Sequence, residues 1–271
     1  MTELDRELDK DLDGASGRDL SSVKSAERTV RILETLAASP TRLTLGELQD
    51  RMGYPRSSLH ALIRTLRELK WIEADTTGSA FGVGPHALLS GSAYLDLDPA
   101  YPFACEALED IRAAVGHTAH YGRRDGAHVL YLASRERRNM EPLVSRVGRR
   151  LPAHVTALGQ ALLAALTLDE AQAVLPLTLE PYTPKSIRSL ALLHGELEGI
   201  RGRGWAFERG QGTPGVACVA AVVDYRIPAT DAISCSMPDY EATPEEIQRV
   251  AAAVVDNAKK LAARLRRAGV R

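Results

Sequence analysis

A chain of 271 residues, 45% hydrophobic and 25% charged, is long enough for two cores, and it lacks any run near the roughly 20 apolar residues of a bilayer span. Its three separated cysteines, Cys105, Cys218 and Cys235, argue against a disulfide framework or a Cys-x-x-Cys metal site; the acidic start does not resemble an export signal, and a cytoplasmic location is expected. The net charge of −1 hides an uneven distribution, because residues 1–20 carry seven acids against three bases while residues 51–70 carry Arg51, Arg56, Arg64, Arg67 and Lys70 against the single acid Glu68. The first stretch, poor in apolar residues, is expected to be a disordered acidic tail.

In chain order, Val23, Ala26, Val30, Leu33 and Ala37 recur at spacings of three and four, which predicts a helix over 22–38 that ends before Pro40. Thr44 and Glu47 read as a capping box opening a second helix with Leu45, Leu48 and Met52 inward, and Gly53 stops it. After that turn, Leu59, Leu62, Ile63, Leu66 and Leu69 predict the inward face of a third helix from Arg56. Two short helices joined by a glycine turn, the second basic and hydroxyl-rich at its start, fit a helix-turn-helix. On that reading Arg56, Ser57, Ser58 and His60 reach base edges, Arg64 and Arg67 lie at phosphates, and Thr44 belongs to the DNA-facing set. Residues 71–74 and 80–83 around Asp75-Thr76-Thr77-Gly78 predict a strand-turn-strand wing, which carries Glu73 and Asp75. Pattern and charge alone also fit a helical bundle whose basic face serves solubility.

From Pro85 to about Leu97 a linker helix is expected, then a helix over 101–115. The period changes at Thr118, where 118–123 and 128–133 around Asp125-Gly126 predict a hairpin. Further strands are expected over 143–147, 216–223 and 229–236, helices from Thr156 and over 189–203, and a last helix behind a Thr243-Pro244-Glu245-Glu246 capping box. Strands between helices give an α+β class. His117 and His120 fall on opposite faces of a strand, which argues against shared metal ligation. His154 suits a structural hydrogen bond. Thr156 sits in no nucleophile motif, and the glycines between 202 and 215 match no phosphate loop, so neither an enzyme nor a cofactor is expected.

The words Ser22 to Leu33, Leu43 to Leu48, Pro55 to His60 and Gly82 to Pro85, followed by Val144 to His154 and Pro214 to Ala221, resemble the IclR family of bacterial transcriptional regulators in order and across residues 22–267. The resemblance implies a winged helix-turn-helix domain over 21–85, a linker helix over 86–98 and a GAF-like effector-binding domain over 99–271. It implies double-stranded DNA with inverted-repeat operators as partner, a homodimer whose pairing gives a homotetramer, and repression in preference to activation. The effector it implies is a small organic carboxylate held by the amides of Ala157 and Leu158 and by Glu208, Cys218, Ser234 and Ser236, with Leu143, Leu151 and Val216 as apolar lining. Ser234 and Ser236 are two apart on a strand and share a face, while Glu208, an acceptor when ionised, favours an effector that also carries a hydroxyl, hydrate or amine. The alternative is an effector-independent regulator or interaction module that keeps the fold.

Overall fold

The computed structural model describes residues 23–138 and 147–271, so the acidic tail, Leu143 and most of the strand expected over 143–147 lie outside the described residues. The chain divides into two units, one ending at Ser92 and the other beginning at Ala93.

In the first unit α1 (Lys24–Ala38) leads through β1 (Leu43–Thr44) into α2 (Leu45–Met52) and α3 (Arg56–Glu68), then into β2 (Ile72–Ala74) and β3 (Ala80–Val83). Helix α4 (Pro85–Asp96) spans the division between the units. Thr44 caps α2: its hydroxyl accepts the Glu47 amide at 3.2 Å while Glu47 accepts the Thr44 amide at 2.7 Å, a pairing worth about 1 kcal/mol. Gly53 ends the helix at φ 67°, a left-handed conformation that favours glycine. Antiparallel strands in the order β1-β3-β2 form the wing, and its turn is tied by Asp75, whose carboxylate accepts the amides of Ser79 at 2.9 Å and Ala80 at 3.1 Å. Ile32, Leu36, Leu48, Leu59, Ile63 and Phe81 close the core.

Packing selects the buried face of α1. Its buried residues are Ile32 and Leu36, whereas Val23 and Val30 are 70% and 54% exposed. Periodicity identifies an apolar stripe, but packing against the rest of the unit chooses which of two stripes is buried. Leu69 departs from the inward face expected of α3: it follows the last turn of that helix and lies 55% exposed.

The second unit contains α5 (Tyr101–Val115), β4 (Thr118–Asp125), β5 (His128–Arg135), β6 (Arg150–Pro152), α6 (Ala157–Ala164), α7 (Leu168–Val174) and α8 (Leu190–Arg203), then β7 (Ala206–Arg209), β8 (Val216–Val223), β9 (Asp231–Pro238) and α9 (Pro244–Arg267). The strands form one antiparallel sheet in the order β6-β5-β4-β9-β8-β7, so an early hairpin and a late one meet at the β4–β9 pairing. Alternation along β9 explains the layers. Ile233, Cys235 and Met237 pack with α5 and α9, while Ala232 joins Leu158, Leu162, Leu193 and Leu197 under α6 and α8.

The capping box expected at α9 is half formed. Thr243 accepts the Glu246 amide at 3.2 Å, but Glu246 turns to His117, 2.6 Å away, and to Arg249. Arg249, with His117, holds the Glu246 carboxyl at about 2 against the opposing effect of partial burial. Strands β1, β6 and β7 and helix α7 carried no sequence expectation; α7 has a complete capping box between Thr167 and Glu170. No helix among the described residues is long and apolar enough to cross a membrane.

Candidate functional site

Helix α3 buries Leu59, Ile63 and Leu66, so its opposite side presents Ser57, His60, Ala61 and Arg64, all exposed. Arg56 is exposed at the helix start. Arg64 lies 4.0 Å from Glu68 with both side chains about 70% exposed, a loose pairing that water weakens. Ser58 is half-buried and accepts a hydrogen bond from Arg28 Nη1 at 3.2 Å. Arg28 also stacks 5.0 Å from the Tyr54 ring, tying α1 to both ends of the turn that starts α3. Arg67 leans over Phe81, 6.0 Å from the ring centre, and thus toward the wing. Thr44 is exposed, with its hydroxyl engaged by Glu47. Among the sequence-selected residues, Arg56, Ser57, His60 and Arg64 are the ones whose side chains stand away from the core with no close protein hydrogen bond among the described contacts; Arg28 was missed, since nothing in α1's own sequence signals a contact thirty residues away.

In the second unit, strand register assembles a polar row from distant segments. Thr118 pairs with Ser236, Ser236 with Cys218 and Cys218 with Glu208, so these residues lie side by side across four strands on one face. One step along, His120 pairs with Ser234. These side chains, apart from Thr118, line a cavity of about 10 Å³, room for roughly one water molecule. Val216, Tyr131, Thr156, Gly212 and Thr213 complete its wall with the start of α6.

That helix start is a donor site. The Thr156 hydroxyl accepts the Gly159 amide at 3.1 Å and its carbonyl accepts Gln160 at 2.9 Å, which leaves Ala157 and Leu158, both buried at the cavity, to supply the remaining first-turn N–H groups. Opposite, Glu208 is buried and accepts the Gln211 amide at 2.8 Å. The loop behind it is clamped: Thr183 donates to the Gly210 carbonyl at 2.6 Å, Ser186 to Gln211 at 2.7 Å, and Gln160 to the Gln211 side chain at 2.9 Å. At Gly212 a β-carbon would lie 2.8 Å from the Val155 carbonyl oxygen, so only glycine lets this loop approach the α6 start.

Of the residues selected from sequence, Ala157, Leu158, Glu208, Val216, Cys218, Ser234 and Ser236 meet at this cavity, and Leu151 does not: on β6 it pairs with Val129 and packs beside the α6 core. Leu143 lies outside the described residues. His120 was missed as a site residue. Alternation separates its ring from that of His117, which turns to Glu246, but only pairing with β9 sets His120 beside the serines. His154 makes a structural contact, donating through Nε2–H to the Glu180 carbonyl at 3.1 Å. Among the described residues no cluster of three metal-ligating side chains occurs.

Residues 97–263 match the family described as bacterial transcriptional regulator IclR C-terminal, and residues 25–76 match the IclR helix-turn-helix domain. The HTH-type transcriptional regulator BhcR of Paracoccus denitrificans is 30% identical over 250 residues, covering 92% of this chain and 89% of that protein. The transcriptional repressor IclR of Escherichia coli is 25% identical, covering 88% and 89%. Among solved structures, an IclR transcriptional regulator from Alicyclobacillus acidocaldarius superposes with a TM-score of 0.78 at 26% identity, over 89% of this chain and 98% of that one. An IclR homolog from Microbacterium hydrocarbonoxydans complexed with 4-hydroxybenzoate shares the fold, with a TM-score of 0.68 at 20% identity over 88% and 99%. Both the helix-turn-helix and the α+β unit are matched in order, and the chain belongs to the IclR family of bacterial DNA-binding transcriptional regulators.

Proposed function

We propose that this regulator is a homodimeric repressor of inverted-repeat operators whose DNA affinity is set by a small organic carboxylate bound in the β9 cavity. The observation that carries the reading is that Ser234 and Ser236 on the sheet and Ala157 and Leu158 at the α6 start, which offer hydroxyl and amide donors, line one cavity together with the acceptor Glu208. This polarity suits an anion that also bears a hydroxyl or amine. The 4-hydroxybenzoate held by a protein of the same fold is a molecule of that type. Repression is supported by relatives described as repressors. Self-association is supported by the outward stripe of α1, with Val23 and Val30 exposed, and by Leu88 and Leu89 of α4, 73% and 65% exposed. Pairing of dimers into a tetramer extends the same reading.

The test is thermal melting against a panel of small organic acids, since a ligand of the native state raises stability with its concentration over Kd. Ser234→Ala with Ser236→Ala should weaken the acid that emerges by roughly 1–3 kcal/mol in total, measured by calorimetry, while gel shift without the acid stays unchanged. Unchanged affinity sinks the site; lost effector-free DNA binding assigns the serines to folding. An effector-independent regulator is the second reading, and the small volume of the cavity, about 10 Å³, favours it. Absence of any melting shift across the panel would select it.

A further inference from the structure

The two sides of the His120 ring meet different hydroxyls at different distances. Ser134 Oγ lies 2.7 Å from Nδ1 and Ser236 Oγ lies 3.1 Å from Nε2. A short separation is typical of a hydroxyl donor and a longer one of an N–H donor. We infer that His120 is a specificity-determining residue of the cavity: Ser134 donates to Nδ1, the ring proton sits on Nε2, and Nε2–H donates to Ser236. The inference rests on the proposed reading of the cavity as the effector site.

The consequence falls on Ser236. A hydroxyl has one hydrogen. With His120 donating to its oxygen, Ser236 turns its own hydrogen elsewhere, and its acceptor in the structure is the Thr118 carbonyl at 3.5 Å, the limit of a hydrogen bond. A closer ligand oxygen captures that hydrogen. A carboxylate, which only accepts, satisfies Ser236, whereas a ligand N–H or O–H aimed there meets another hydrogen. Burial holds the arrangement in place, since His120 is 5% exposed and its ring meets Tyr131 edge-on at 5.6 Å. Ser134 pairs with His120 across β4 and β5 and does not line the cavity, so it acts as a positioning residue.

Two measurements on the full chain test this. Histidine labelled with ¹⁵N, with no ligand added, reports which His120 nitrogen carries the proton, and the signal is assigned by its loss in His120→Gln. Nε2 should be protonated. Acetate and the matched neutral acetamide are then titrated at constant ionic strength and neutral pH into the wild type and variants. Wild type should prefer acetate. His120→Gln, whose amide N–H can replace Nε2–H, should keep that preference. His120→Met should reduce it on the order of tenfold, and Ser134→Ala by a smaller factor that remains readable should the Met variant not fold. A proton on Nδ1 alone, or an undiminished preference in both His120→Met and Ser134→Ala, overturns the role of His120 even if acetate binds. Should wild type bind neither probe, the effector reading of the cavity fails and the specificity role falls with it.

Discussion

Asp231 is fully buried, and its carboxylate accepts from Arg123 Nε at 2.6 Å and Nη2 at 3.0 Å, from the Tyr121 hydroxyl at 2.8 Å and from Tyr225. Arg123 also reaches Asp98 at 2.9 Å and the Tyr94 hydroxyl at 3.0 Å, joining the end of α4 and the start of α5 to the sheet. Burial by itself pushes the Asp231 carboxyl up, but the bonds and charge of Arg123, with the two tyrosine hydroxyls, outweigh it and hold the carboxyl below its ordinary value. Removing one partner strands a buried charge, so Asp231→Ala should destabilise the second unit by about 3–5 kcal/mol in urea unfolding; a loss below 1 kcal/mol, of the size typical for exposed pairs, would contradict this account. Acid dependence follows the same sign. Carboxyls depressed in the folded state contribute stability above their unfolded value, near 4, and lose it as pH falls toward the folded value, about 2 for Glu246. Unfolding free energy should therefore drop between roughly pH 4 and pH 2, and Glu246→Gln should flatten part of that slope. An unchanged slope would remove Glu246 from the explanation. None of this network was legible in the sequence, because Arg123 and Asp231 read alone as ordinary strand residues.

At the scale of elements, α3 separates two kinds of contact. Arg56→Ala should cost about 1–3 kcal/mol at the specific site and relax base preference if the guanidinium reads a base edge. Arg64→Ala should weaken all sequences alike and lower the salt slope by about 1. Gel shifts on specific and scrambled duplexes at several salt concentrations distinguish the two, and identical behaviour of both variants would refute the assignment. Arg67 is a poorer probe than its spacing suggests, since its place over Phe81 makes a substitution alter the wing as well. Arg28→Met should reduce specific binding with the salt slope unchanged, because it acts through Ser58 and Tyr54; a reduced slope would instead make Arg28 a phosphate contact. The α2 and α3 limits were readable because caps and glycine stops are local chemistry. The edge strands β1, β6 and β7 were not, being two to four residues long and stabilised by neighbours.

For the whole molecule, the outward stripe of α1 predicts association. Sedimentation at micromolar concentration should give a dimer, and Val30→Glu, at a position 54% exposed in the single chain, should shift it toward monomer without loss of helical circular dichroism. A monomeric wild type would count against the dimer, and an unfolded Val30→Glu variant would place Val30 in the core after all. Effector action requires differential affinity for two states of such an assembly, and coupling of about 1–3 kcal/mol suffices for a switch.

Features encoded by neighbouring residues were readable from residue order alone: the capping box at Thr44, the Gly53 stop, the basic outward face of α3, the alternation that puts Ser234 and Ser236 on one side of a strand, and the ordered motifs that mark the family. Long-range packing set what depends on a partner distant in the chain. It chose Ile32 and Leu36 over the Val23–Val30 stripe for the core, drew Glu246 from its expected cap to His117, left Leu151 away from the cavity, and brought His120 beside Ser234 through a pairing of strands more than a hundred residues apart. Periodicity states which residues share a face; only packing and strand register state what that face meets.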